Sequence, residues 1–184
     1  MQEGVRIAEL IMENKPQFLY HGSQFKIDGP LRPILKEGGA DYIHTKPAVF
    51  ATERMDLAAL FMFPFEEHIA SIGFENDIAY ICIWGTREGF GQIDNGGYVY
   101  VLPSDTFEKV GKKYEWQSFE EVMPIEVKYF NSTILGMMNC GVKVYFINNE
   151  KVFDQIRDNK KNRMPILREL VSENQKEGIH ARIV

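Results

Sequence analysis

Cysteine is scarce in this chain. Its 184 residues hold two, Cys82 and Cys140, each in apolar company and neither part of a CxxC pair. A disulfide framework is excluded, and buried thiols in a reducing cytoplasm are the expectation. Long apolar runs are missing too, so no membrane-spanning segment is expected. The opening MQEGVRIAELIMENK mixes acids among its apolar residues and has no hydrophobic core of the secretory kind, so it does not read as a signal peptide. Basic excess is also absent. Lys and Arg number 21 against 26 Asp and Glu, a formal net charge of -5. That argues against a protein built mainly to grip phosphate backbones, although Lys109, Lys112 and Lys113 could line a local basic groove. There is no internal repeat and no low-complexity tract. These absences leave a soluble, cytoplasmic chain.

What is present is core-forming material. Hydrophobic residues make up 45% and aromatics 12%, enough for one folded domain. Ile7, Leu10 and Ile11 stand at helical spacing over residues 5–14, and Pro16 stops that helix. Residues 18–20 read as a short buried strand, and 29–47 as a long Gly- and Pro-rich loop of the functional kind. Residues 48–51 form a second strand, followed by a helix that Thr52 is placed to cap, with Met55, Ala58, Ala59 and Met62 on its inner face. Strands are expected over 79–84, 98–102, 116–119, 125–130 and 142–147, with a mobile glycine-rich loop between the first two of these. Helices are expected over 151–159 and 165–175, and the charges from Arg157 to Arg163 read as a solvated turn between them. Helices early and late, with strands between, predict an α+β fold with a mainly antiparallel sheet. Residues 1–150 form the main domain, and 151–184 a C-terminal helical extension packed on it.

Three stretches carry candidate chemistry. In "FLYHGSQF" an apolar strand runs into His21, Gly22 and Ser23. "VFATERMDLAALF" is a strand that turns into a helix, and "YEWQSFEEVMPIEV" opens a late strand with Glu115. In this order they resemble the ADP-ribosyltransferase superfamily, in its diphtheria-toxin-like and poly(ADP-ribose) polymerase-like His-Tyr-Glu branch. "GGYVYVLPSDTFEKV" is similar to a stretch of the rifamycin ADP-ribosyltransferases. The resemblance covers residues 18–129 and implies a split, mainly antiparallel sheet with flanking helices. It also implies NAD as substrate, with no metal. By resemblance His21 bonds an adenosine-side ribose hydroxyl, and the Gly22 backbone meets the nicotinamide carboxamide, with Ser23 beside it. Phe50 stacks on the nicotinamide ring, and Glu115 holds the nicotinamide ribose and favours an oxocarbenium-like transition state. Two positions depart from the pattern: Phe50 stands where the family has Tyr, and Ala58 where it often has Ser. Tyr42 is a candidate to supply a ring or hydroxyl in their place.

Each residue also has a plainer reading. His21 can be a strand histidine bonded to a carbonyl, Phe50 a core residue, and Glu115 one acid among Glu108, Glu120 and Glu121. His44, His68 and His180 lack partners at ligand spacing, so no metal site is expected. The leading expectation is a mono-ADP-ribosyltransferase whose acceptor is a protein, a small molecule or, disfavoured by the acidic charge, nucleic acid. The alternative is a catalytically weak or inactive module on the same fold that binds NAD or a protein. An NAD-dependent RNA 2′-phosphotransferase ranks lower, because few arginines precede the last helices. A fourth reading makes those helices a partner-docking or inhibitory element.

Overall fold

The computed structural model describes residues 15–35, 46–65, 69–110, 114–159 and 163–176. The helix expected over 5–14, the centre of the 29–47 loop with Tyr42, and Lys112 and Lys113 lie outside these residues. In chain order the elements begin with β1 (Phe18–Ser23), β2 (Val49–Thr52), α1 (Met55–Leu60), β3 (Ala70–Glu75), β4 (Ile78–Trp84), α2 (Arg87–Gly91) and β5 (Gly97–Pro103). They continue with β6 (Glu108–Lys109), β7 (Glu115–Ser118), β8 (Glu126–Phe130), α3 (Thr133–Asn139), β9 (Lys143–Ile147), α4 (Glu150–Asp158) and α5 (Arg163–Lys176). The result is mixed α+β, with sheets that are mostly antiparallel. One sheet has six strands in the order β6-β7-β2-β1-β5-β8, and a second has three in the order β3-β4-β9. Only the β4–β9 pairing is parallel among the described ladders.

Each sheet follows from its residue pattern. Alternation in β2 and β7 sends Val49, Ala51, Trp116 and Ser118 into a buried layer and turns Phe50, Glu115 and Gln117 to the other side. Leu19, Tyr100, Leu102 and loop residues Leu31, Phe107 and Val122 complete that buried layer. The opposite face of the six-stranded sheet meets α1, α3 and the inner face of the smaller sheet. Ala58, Ala59, Met62, Ile81, Ile83, Val99, Met137 and Val144 form the core between them. β4 is a continuous apolar run, IAYICIW, because both its faces are covered. On the far face Tyr80, Cys82 and Ile147 pack with Phe153 and Ile156 of α4 and Leu167 of α5. Burial pushes the Cys82 thiol up to about 12.

Several local expectations change. β1 does not stop at Tyr20; it pairs with β5 along its whole length, from Phe18↔Pro103 to Ser23↔Tyr98. Thr52 does not cap α1. Its hydroxyl accepts from the Arg54 amide at 3.3 Å, and Arg54 is the N-cap residue without a side-chain cap bond. The glycine-rich stretch contains α2, whose first turn Thr86 caps by accepting from Gly89 N at 3.0 Å. Neither β3 nor α3 is visible in the sequence pattern. The charged turn before α5 is not wholly solvated either, since Arg163 is only 7% exposed. Its Nε donates to Ile156 O at 2.7 Å and its Nη2 to Arg157 O at 3.1 Å, the carbonyls at the end of α4. Its Nη1 donates to Ile72 O on β3.

Candidate functional site

Sheet order brings three distant segments side by side: β7 with Glu115, β2 with Phe50 and β1 with His21 and Gly22. Thr52 pairs with Glu115 and Phe50 with Gln117, so Glu115 and Phe50 are diagonal neighbours on one face. The β1–β2 ladder is different. It holds at Tyr20↔Thr52 and is not continued.

The phase of the β1–β5 ladder says where the backbone of Gly22 points. Ser104 N donates to Gln17 O at 3.3 Å, so the bonded positions of β1 in register with it are Leu19, His21 and Ser23. The intervening Tyr20 and Gly22 turn their N–H and C=O toward β2. Gly22 therefore faces the seam where β1 and β2 part. At that seam the Phe50 carbonyl accepts a bond from His21 Nδ1 at 2.7 Å. A carbonyl only accepts, so Nδ1 carries the proton in this bond. The ring centroid lies 6.2 Å from that of Tyr100, its cross-strand partner. The carbonyl-bonded histidine of the plainer reading is thus real.

Gly22 is glycine for a packing reason as well. A Cβ there would sit 1.8 Å from the Ala58 carbonyl oxygen and 3.1 Å from Cβ of Phe61. Helix α1 thus lies directly on β1, and only a residue without a side chain permits it. Ala58 contributes its backbone to this contact and is buried. Ser23 is engaged in its own turn, where Oγ accepts from Phe25 N at 3.1 Å and donates to Phe25 O at 2.9 Å.

Two groups near the seam escape sequence reasoning. Phe61, at the C-terminal end of α1, is 47% exposed beside Gly22. A Phe cluster at a helix end reads as core, and only the approach of α1 to β1 shows that this ring stands at the seam. The second is a polar cluster at the Glu115 end. Arg54 donates to both carboxylate oxygens of Asp56, at 3.0 and 2.5 Å, and to the Asp77 carbonyl at 2.5 Å. Its Nη1 lies 3.1 Å from Asp77 Oδ2. Its guanidinium sits 4.8 Å from the Tyr114 ring centroid, and Tyr114 donates to Asp77 Oδ1 at 2.6 Å. The Asp56 bonds, followed by the Tyr114 hydroxyl and the charges of Asp56 and Asp77, push the Arg54 pKa up, against burial. Asp77 lies in the β3–β4 hairpin turn, where Asn76 and Asp77 both have positive φ, 49° and 65°. That is a type I′ geometry, suited to these residue types.

Elsewhere, Lys109 of the proposed basic groove stands over the Trp116 ring at 5.3 Å. Among the described residues no group of three His, Cys, Asp or Glu side chains is arranged to hold a metal ion, and no helix is long and apolar enough to cross a membrane. Compared with protein-family models, curated proteins and solved structures, the chain matches none.

Proposed function

We propose that the chain is an NAD-dependent mono-ADP-ribosyltransferase with a split-sheet fold of the ADP-ribosyltransferase type. The observation that carries this reading is the β7-β2-β1 adjacency with its parted β1–β2 seam. It brings Glu115, Phe50, Gly22 and His21, four residues drawn from three distant stretches, onto three neighbouring strands, with Phe50 and Glu115 on one face and His21, the partner of Tyr100, on the other. The residues suit the ligand. A backbone N–H and C=O at Gly22 match a carboxamide, which both accepts and donates. An imidazole such as that of His21 is a suitable partner for a ribose hydroxyl. The rings of Phe50 and Phe61 supply apolar faces for nicotinamide.

The reaction breaks the bond between ribose C1′ and the nicotinamide nitrogen. The bonding electrons leave with nicotinamide, which departs neutral. The acceptor's lone pair forms the new bond to C1′, and its proton is lost to a base. Glu115 places a carboxylate beside the developing ribosyl cation, an interaction stronger in the transition state than in the ground state. The same carboxylate is the base that takes the acceptor's proton. Phe50 lacks the phenol and Ala58 the hydroxyl of the family pattern, which lowers nicotinamide affinity by about 1 kcal/mol for each missing neutral bond.

The test is nicotinamide release from NAD by wild type, Glu115→Gln and His21→Ala, with NAD binding measured on all three. Glu115→Gln is expected to lower release about 100-fold while binding persists. His21→Ala is expected to weaken binding. Wild-type binding without release, even with a cell lysate as acceptor source, would assign the chain to the non-catalytic module instead. Neither binding nor release would sink the transferase and the NAD-binding module alike, leaving a protein-binding module on this fold.

A further inference from the structure

Glu115 is the first residue of its strand, a position that frays unless the preceding residue is tied down. Tyr114 is tied. Its hydroxyl donates to Asp77 Oδ1 at 2.6 Å, on a hairpin turn of the other sheet. Asp77 is in turn held by Arg54, through its carbonyl at 2.5 Å and its carboxylate at 3.1 Å from Nη1. Asp56 grips Arg54 through both carboxylate oxygens. The Arg54 guanidinium lies 4.8 Å from the Tyr114 ring centroid. The Arg54 amide donates to Thr52 Oγ1 at 3.3 Å, and Thr52 is the ladder partner of Glu115. The contacts therefore close a circuit, Glu115–Tyr114–Asp77–Arg54–Thr52–Glu115, that spans both sheets.

We propose that Arg54, Asp56, Asp77 and Tyr114 are positioning residues that fix the start of β7 and so aim the Glu115 carboxylate, an inference that rests on the transferase reading. The Tyr114–Asp77 link is worth little to global stability, because the Asp77 side chain is 62% exposed and exposed polar pairs contribute little, whereas the Arg54–Asp56 pair is the more buried part of the cluster. The cluster's value for geometry is large, because a misplaced carboxylate loses much of its effect on the transition state. A purely structural role and a positioning role therefore differ in what they move.

The experiment compares wild type, Tyr114→Phe, Asp77→Gly and the double variant, all as the full chain, with Glu115→Gln as the reference for lost chemistry. Steady-state nicotinamide release, thermal midpoint and amide hydrogen exchange at Glu115 and Trp116 are measured on each. Tyr114→Phe removes only the donor hydroxyl, and Asp77→Gly removes the acceptor carboxylate with a residue that adopts positive φ readily. Each is expected to lower kcat about tenfold and to leave the KM for NAD within about twofold. Exchange at Glu115 and Trp116 is expected to quicken about fivefold. The double variant is expected to be no worse than either single one, since both cut the same link. Wild-type kcat and wild-type exchange in both single variants would overturn the proposal. If release is absent in wild type or indifferent to Glu115→Gln, the transferase reading fails by itself. The exchange data then decide this inference: faster exchange upholds the hold on Glu115, and unchanged exchange ends it.

Discussion

Gly22 carries two demands at once. Its backbone faces the β1–β2 seam, and its missing side chain lets the Ala58 carbonyl approach to where a Cβ would stand 1.8 Å away. The obstructing atom is backbone in a packed helix, so it cannot swing aside. Gly22→Ala is expected to destabilise the fold by about 3 kcal/mol, read as a lower denaturant midpoint at an unchanged slope. His21→Ala differs in kind, because it removes a partly buried hydrogen bond to Phe50 O and leaves packing at α1 untouched. Its stability cost is expected to be about 1 kcal/mol, and the proposed transferase role adds a loss of NAD binding to it. The residues of the seam were legible one by one: a histidine-glycine pair in an apolar strand, an aromatic strand before a helix, an acid before a tryptophan. The seam itself was not. It depends on the phase of the β1–β5 ladder and on how far β1 and β2 run together, and a single strand's sequence carries neither quantity.

At the level of elements, the strands with clean apolar patterns were readable and those stabilised from far away were hidden. The sequence of β3, ASIGFE, has a glycine at its centre, which weakens any strand reading. Gly73 is there because the ring of its partner Tyr80 lies across it, with Tyr80 Oη 2.3 Å from where a Cβ would be. Helix α3 is short, and its N-terminus is built from two places in the chain. Ser132 caps it locally by accepting from Leu135 N at 3.2 Å. Asp94, far upstream, accepts from Ser132 Oγ and Thr133 N at 2.6 Å each, and from Gly96 N at 3.1 Å. Burial alone would push the Asp94 carboxyl up; the bonds from Ser132, Thr133 and Gly96 outweigh it and hold the group below its ordinary value of 3.8. A depressed carboxylate stabilises the folded state above its unfolded value, and that contribution is lost as pH falls through the folded value. Asp94→Ala is therefore expected to cost about 2 kcal/mol at neutral pH. Urea titrations of both proteins should show the gap closing as pH is taken below 3.8.

On the scale of the whole molecule, one buried cation joins parts that the chain visits at widely separate times. Arg163 closes the carbonyl end of α4, opens α5 and reaches the Ile72 carbonyl on β3. Arg163→Met keeps the stem and removes every donor, leaving those three carbonyls without their partner. The expected cost is about 3 kcal/mol, with α5 becoming the first site of cleavage in limited proteolysis. Glu75 reinforces the same junction by binding Arg168 at 2.6 Å and Lys143 at 3.1 Å. The Arg168 guanidinium, followed by the Lys143 ammonium, holds its carboxyl below the usual range.

The parallel β4–β9 ladder has a consequence for how the chain is made. Tyr80 pairs with Lys143 and Trp84 with Ile147, so β4 gains its second neighbour only after all six strands of the larger sheet have emerged from the ribosome. Until then the nascent IAYICIW segment carries a bare edge and an uncovered apolar face, the state in which strands recruit one another between molecules. Chains halted between Trp84 and Lys143 should therefore be the species that trigger factor-type holdases bind and that precipitate when they are withheld, while chains extended past Leu167 should not.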